Sequence, residues 1–246
     1  MNPAPRISTR GYYDLGTGRT LKKKSYYLYP KKAFGRLAGS KELVIMVHGL
    51  RNDGAGAVAK AVIARNRLRK LGYGHPVIGF SYDSNTTGAH LVKHSRRALA
   101  VGQKIAKKNG RNLGMFIRDF KRDSPDIRIR LLGHSLGSQV IYSALEYISD
   151  AADIVESVHL FGASIPSNSL SVRRGSAVQR VVRKKITNHY APADNVLLQA
   201  DDSGHVPGPL GLNGASGTTI PKYSQKKVRP ENHRFASYAK VLGSFP

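Results

Sequence analysis

Five consecutive residues, Gly133-His134-Ser135-Leu136-Gly137, carry the sharpest chemical pattern in the chain. A serine hydroxyl becomes a useful nucleophile only when a base takes its proton and its Oγ stands clear of the backbone. Glycines two residues to either side permit a strand-to-helix turn so tight that a Cβ at those places would strike neighbouring backbone. The turn strains the serine, lifts its Oγ above the sheet edge and sets a helix N-terminus beneath it. The chemistry this suits is acyl transfer, with Ser135 attacking a carbonyl carbon. The context fits as well: Ile129-Arg130-Leu131-Leu132 reads as a strand, and Leu136-Gly137-Ser138-Gln139-Val140-Ile141 as the opening of a helix.

Such a nucleophile also needs hydrogen-bond donors for the oxyanion it creates. Val47-His48-Gly49-Leu50 ends an apolar run and opens a loop, and its glycine allows close approach to a developing oxyanion. The expected donors are the backbone amides of Leu136 and Leu50, with Gly49 and Arg51 as alternatives to Leu50. His48 either braces this loop by hydrogen bonding or is an ordinary buried histidine.

These stretches resemble the α/β-hydrolase superfamily. Residues 129–138 look like the lipase-type active-site serine signature, and the His48-Gly49 strand end looks like its oxyanion loop. Asn188-His189-Tyr190-Ala191-Pro192-Ala193-Asp194-Asn195-Val196-Leu197 is similar to the acid-bearing segment of one largely uncharacterised branch. In that branch a strand ending in Asn-x-Tyr precedes an Asp and an apolar pair; a Gly-Leu loop and a histidine before an aromatic helix follow. Here those are Gly211-Leu212 and His233 with Phe235 and Tyr238. The resemblance spans roughly residues 42–242. It implies a triad of Ser135, Asp194 and His233, in the chain order of nucleophile, acid and base. In a triad the carboxylate fixes the imidazole tautomer and stabilises the imidazolium. Asp201 and Asp202 are rival acids that lack a strand to position them, and His205 is the rival base.

The hydrophobic pattern predicts the scaffold. Before residue 42 the chain is polar and turn-rich, with an early edge strand over 25–29 ended by Pro30. Short apolar runs predict buried strands over 43–47, 76–80, 127–132, 157–161 and 185–190. Helical spacing predicts helices over 55–71, from 90 to about 122, and over 136–148, 176–182 and 235–242. The second of these reads as one long helix or two joined ones, and Gly110 and Gly114 favour a break. Residues 201–221 read as a long irregular loop and 225–229 as a weak edge strand. Strands alternating with helices predict one α/β domain over 1–246, its core at 42–242, with a mostly parallel central sheet and helices on both faces. The stretch between Gly162 and Lys184 is short and polar, so a cap is expected to be short or absent and the site rather open.

Composition removes some chemistries. The chain has no cysteine, which excludes disulfides, thiolate catalysis and cysteine zinc sites. His90 and His94 stand four apart, but no acidic residue accompanies them, so a solvated helix face is expected rather than a metal site. No Gly-rich phosphate loop follows a strand, and the expected chemistry needs no cofactor. The start, Met1-Asn-Pro-Ala-Pro-Arg, lacks the apolar core of a signal peptide, and a cytoplasmic location is expected. Lys and Arg number 40 against 15 Asp and Glu, a formal charge of +25, spread in short clusters such as Lys22-Lys23-Lys24 and Arg183-Lys184-Lys185. That surface is either simply solvated or meets a polyanion such as nucleic acid or an anionic membrane. The sequence therefore predicts an esterase or lipase-like enzyme acting on a small-molecule or lipid ester through an acyl-enzyme. A catalytically silent hydrolase-fold module that binds nucleic acid or another polyanion is the alternative, and acyltransferase or haloperoxidase-like chemistry would use the same residues.

Overall fold

Eight segments are extended in the computed structural model, which describes residues 4–246; the first three residues of the expected domain lie outside the described residues. They are β1 (Arg6–Ser8), β2 (Tyr27–Tyr29), β3 (Glu42–Val47), β4 (Val77–Ser81), β5 (Arg128–His134), β6 (Val155–Phe161), β7 (Val182–Tyr190) and β8 (Tyr223–Lys227). All join one sheet in the order β2-β1-β4-β3-β5-β6-β7-β8. Only β2, at the edge, runs antiparallel to its neighbour. β3 and β6 are buried along their full length, as strands covered on both faces should be, and β3 after Glu42 is a continuous apolar run.

Successive strand side chains point to opposite faces, and the core divides accordingly. Leu43, Ile45, Val47, Ile129 and Leu131 meet one apolar cluster. Val44, Met46 and Leu132 meet a second cluster on the other face. The first is covered by α3 (Ser95–Asp123), α4 (Gly137–Tyr147) and α5 (Val172–Val181), the second by α2 (Gly54–Lys70) and α8 (Phe235–Val241). Three short helices complete the set: α1 (Lys31–Leu37), α6 (Asn195–Asp202) and α7 (Leu210–Asn213). The mostly parallel sheet with helices on both faces is the α/β-hydrolase architecture expected from the sequence.

Several local expectations are corrected. The long helix begins at Ser95 after a 3-10 turn at Val92–His94, so His90 precedes it, and its 29 residues run unbroken. Gly110 and Gly114 are contact points, not breaks. A Cβ on Gly110 would fall onto the Ser143 side chain, 2.6 Å from that residue's carbonyl carbon, and one on Gly114 would lie 2.8 Å from the Tyr147 ring. Both glycines let α3 lie against α4. The stretch expected to be an irregular loop opens on the last two residues of α6 and contains α7. The polar N-terminal region supplies β1 and α1 in addition to the expected edge strand. Between Gly162 and Val181 the chain forms a 3-10 turn and α5, which packs against α4 and β7 and forms no lid.

The strand order positions the site. From β3 the sheet grows through β4 to one side, and from β5 through β6 to the other. The connections leaving the C-terminal ends of β3 and β5 therefore diverge, and a crevice opens between them. At the opposite end of these strands, the buried Arg130 guanidinium donates to both Glu42 carboxylate oxygens, at 2.9 and 3.2 Å, and to Ser157 Oγ at 3.0 Å. This bidentate contact ties β3, β5 and β6 together.

Candidate active site

Ser135 follows β5 directly and has φ of 52°, left-handed backbone that a non-glycine residue adopts only when its surroundings impose it. Its amide donates to the Phe161 carbonyl at 3.0 Å, and its own carbonyl accepts from the Ser138 amide at 3.0 Å and Ser138 Oγ at 2.5 Å. The glycines show what the turn demands. A Cβ on Gly137 would fall onto the Val47 carbonyl and 2.8 Å from that of His48; one on Gly49 would lie 2.9 Å from Ser135 Cβ. The end of β3 and the serine turn are thus in direct contact.

His233, just ahead of α8, places Nε2 2.8 Å from Ser135 Oγ, and its Nδ1 donates to Asp194 Oδ2 at 2.7 Å. Asp194 caps α6: its Oδ1 accepts the Val196 and Leu197 amides at 3.1 and 3.3 Å. Tyr238 of α8 donates its hydroxyl to Oδ2 at 2.6 Å. Burial would raise the Asp194 carboxyl, but the bond from His233, its charge, and the bonds from Tyr238 and Leu197 outweigh that and hold the group below the ordinary aspartate value. The structure brings together the three residues the sequence singled out. The rivals stay outside this series, although Asp202 and His205 line the same cleft. Asp201 accepts from the Gly208 amide, Asp202 ends α6, and His205 Nδ1 meets Ser203 Oγ at 2.5 Å.

The oxyanion side is fixed by carbonyls. The Gly49 carbonyl accepts from His48 Nδ1 at 3.0 Å and from Asn52 Nδ2 at 3.1 Å. Because the peptide is planar and trans, holding that carbonyl fixes the direction of the Leu50 N–H in the same unit. Among the described residues neither the Leu50 nor the Leu136 amide has a hydrogen-bond partner, whereas the Arg51 amide donates to the Ser84 carbonyl at 3.0 Å. That bond removes Arg51 from the alternatives. His48 braces the loop: its Nε2 accepts the Tyr82 amide at 3.3 Å and its ring stacks on Tyr82 at 4.6 Å. Burial, and then the Arg10 charge, lower its pKa to about 3, so it is neutral.

Sequence reasoning missed four residues. His134, in the second place of the serine motif, donates Nε2–H to the His233 carbonyl at 2.7 Å, with the two rings 5.0 Å apart. Burial, and then the His233 charge, lower it to about 3. Ser164 Oγ lies 3.3 Å from Ser135 Oγ. Asn52 also holds the Leu50 carbonyl at 2.8 Å, and Arg10 grips the same loop through the Asn52 and Asp53 carbonyls at 3.0 and 2.7 Å. Position within the motif was the only available signal, and it pointed to His134 alone. The others lie far from the motif in sequence or carry no pattern. His90 pairs with Asn85 at 2.8 Å, and among the described residues no cluster of three His, Asp or Glu side chains could hold a metal ion. No helix among them is long and apolar enough to cross a membrane.

Ser135 opens into a cleft of about 1020 Å³ bounded by the loop after β3, the start of α3, α6 and the His233 segment. Residues 94–199, less than half of the chain, match a family described as "Protein of unknown function (DUF726)". No curated protein matches the chain. Among solved structures, the catalytic core domain of acetyl xylan esterase from Trichoderma reesei aligns at 10% identity over 77% of this chain and 83% of that one, with a TM-score of 0.39. A Trichoderma reesei cutinase in complex with a phosphonate inhibitor aligns at 14% identity over 55% of this chain, with a TM-score of 0.34, and the match spans 65% of the cutinase. A cutinase-like protein from Cryptococcus sp. aligns at 14% identity over 57% and 69%, with a TM-score of 0.32. These likenesses are too distant to speak to chemistry. The strand order and the left-handed serine at the end of β5, with an acid after β7 and a histidine after β8, make this chain a protein of the α/β-hydrolase fold.

Proposed function

We propose that the protein is a serine hydrolase that cleaves carboxylic esters through an acyl-enzyme on Ser135. One observation carries the reading: an unbroken hydrogen-bonded series from Ser135 Oγ through His233 to a buried Asp194, at 2.8 and 2.7 Å. In this reading His233 Nε2 takes the serine proton as Oγ bonds to the ester carbonyl carbon. Asp194 holds the imidazole with its Nδ1 protonated and steadies the imidazolium. The amides of Leu50 and Leu136 receive the oxyanion, with Gly49 giving the loop its close approach. The carbon–oxygen bond to the alcohol breaks, and the alcohol leaves with the proton from His233. A water then gives its proton to His233 and attacks the acyl carbon; the bond to Oγ breaks, His233 returns the proton to Oγ, and the acid leaves.

The test is hydrolysis of short and medium p-nitrophenyl esters by wild type and by Ser135→Ala. The reading expects turnover by wild type and a loss of about 10⁴-fold or more in the variant. Equal turnover by both would overturn it. No turnover with any ester would favour the silent module instead, whose support is the formal charge of +25.

A further inference from the structure

The cleft around Ser135 has two walls that differ in charge balance. One is made by α3 and α6, where Leu99, Val196 and Leu197 face the cleft beside Arg96 and Asp202, with Val206 just beyond α6. Arg96 and Gln103 of α3 hold the Ser203 and His205 carbonyls, at 3.4 and 3.0 Å, so these elements stand together. The other wall comes from the opposite face of the sheet, from α2 and the start of α8. Arg67 of α2 donates its Nε to the Leu242 carbonyl at the end of α8, at 3.1 Å. Lys60 lies seven residues back along α2 and Arg234 eight back from Leu242, about 10 and 12 Å at the helical rise. Side-by-side helices therefore bring these two cations to one end, and both line the cleft.

Among the described residues neither Lys60 nor Arg234 makes an ion pair. The one carboxylate residue lining the cleft among them is Asp202, at the end of α6 and so on the wall of Arg96, which leaves the α2 and α8 wall with cations and no carboxylate. The Lys60 charge reaches the base region: after burial and the His233 charge, it too lowers His134, whose ring holds the His233 carbonyl. Chemistry assigns the two walls to the two halves of an ester. The alcohol leaves on the side of the histidine that returns its proton, so the cations beside His233 face the alcohol. The acyl chain has the other wall, where Leu99, Val196, Leu197 and Val206 offer apolar contact.

We propose, resting on the esterase reading, that the substrates are esters whose alcohol half carries a phosphate or carboxylate, held by Lys60 and Arg234, and whose acyl chain is apolar. A charge-assisted hydrogen bond to such an anion is worth about tenfold or more in kcat/KM for each cation.

The test compares the octanoyl esters of 4-hydroxyphenyl phosphate and of 4-methoxyphenol, dissolved as monomers, each rate normalised to its own alkaline hydrolysis. Wild type should favour the phosphate ester by about 100-fold, about tenfold for each cation. Lys60→Gln and Arg234→Gln should each cut that ratio about tenfold, and Lys107→Gln, an exposed α3 residue outside the cleft, should keep it. A misfolded fraction cancels in the ratio. A second arm, phosphatidylglycerol against phosphatidylcholine vesicles, separates a lipid headgroup from a small soluble ester as the source of the anion. Preference in the soluble arm, lost in the two cleft variants, supports the proposal whichever way the vesicle arm falls. Preference only on vesicles, untouched by Lys60→Gln, means the charge recruits the protein to a surface and overturns it. Equal cleavage of both soluble esters overturns it and leaves the esterase reading standing. Cleavage of neither also overturns it, and fluorophosphonate labelling of Ser135 then tells whether the esterase reading falls too.

Discussion

The Asp194 carboxylate takes hydrogen bonds from four donors: His233, Tyr238 and the amides of Val196 and Leu197. It is only 4% exposed, so each lost donor leaves charge undersolvated. Its pKa is depressed in the folded state, so its contribution to stability is complete above the unfolded value, near pH 4, and is lost as pH falls through the folded value. Tyr238→Phe should therefore destabilise the protein by about 1.5–3 kcal/mol at pH 7. The deficit should shrink as pH falls through the folded value of Asp194, below the ordinary aspartate range, where the group protonates. Urea unfolding over a pH series from 7 downward checks this, and a deficit that stays constant down to acid unfolding would contradict it. At this scale the triad was legible because serine motif, strand-end acid and trailing histidine each carry local pattern. His134, Asn52 and Arg10 were not, because their partners are backbone carbonyls that only the folded chain brings near.

The glycines of α3 show how an element can be misread when its residues are judged alone. A glycine in a helix is costly by about 0.5–1 kcal/mol relative to alanine, which argues for a break. Here the lack of a Cβ lets α4, whose first turn supports Ser135, lie directly on α3. Gly110→Ala should therefore destabilise the protein by about 1–3 kcal/mol despite the propensity gain, because a Cβ would meet the Ser143 backbone. Gly35→Ala in α1, with nothing within 4 Å, should stabilise it by about 0.5–1 kcal/mol. Denaturation midpoints of the two variants should move in opposite directions. Strands were legible because short apolar runs have no other home in a two-faced sheet. The helices α1 and α6 were not, since each is short and follows a residue, Pro30 or Asp194, that reads equally well as loop.

The whole molecule carries a formal charge of +25, and its seven parallel-paired strands hold that surface around one sheet. Like charges repel in the compact state, so screening should stabilise it. Raising salt from about 10 mM to about 150 mM shortens the screening length from about 30 to about 8 Å. Tm should rise by several degrees, and a fall would show that surface ion pairs outweigh repulsion. The fold class was legible because alternation of strand and helix is written along the chain. The placement of the charge was not, since basic residues near in space are scattered in sequence; Lys60 and Arg234 come to one cleft only through the packing of α2 beside α8.

Fluorophosphonate labelling of the folded protein, read by intact mass and peptide mapping, tests most directly whether the Ser135–His233–Asp194 series makes a working nucleophile. One adduct per chain on Ser135, absent in Ser135→Ala and slowed by about 10³-fold or more in His233→Ala, is the result expected of a serine activated by its histidine. No adduct on folded wild type, or an adduct on Ser164 3.3 Å away instead, would contradict it.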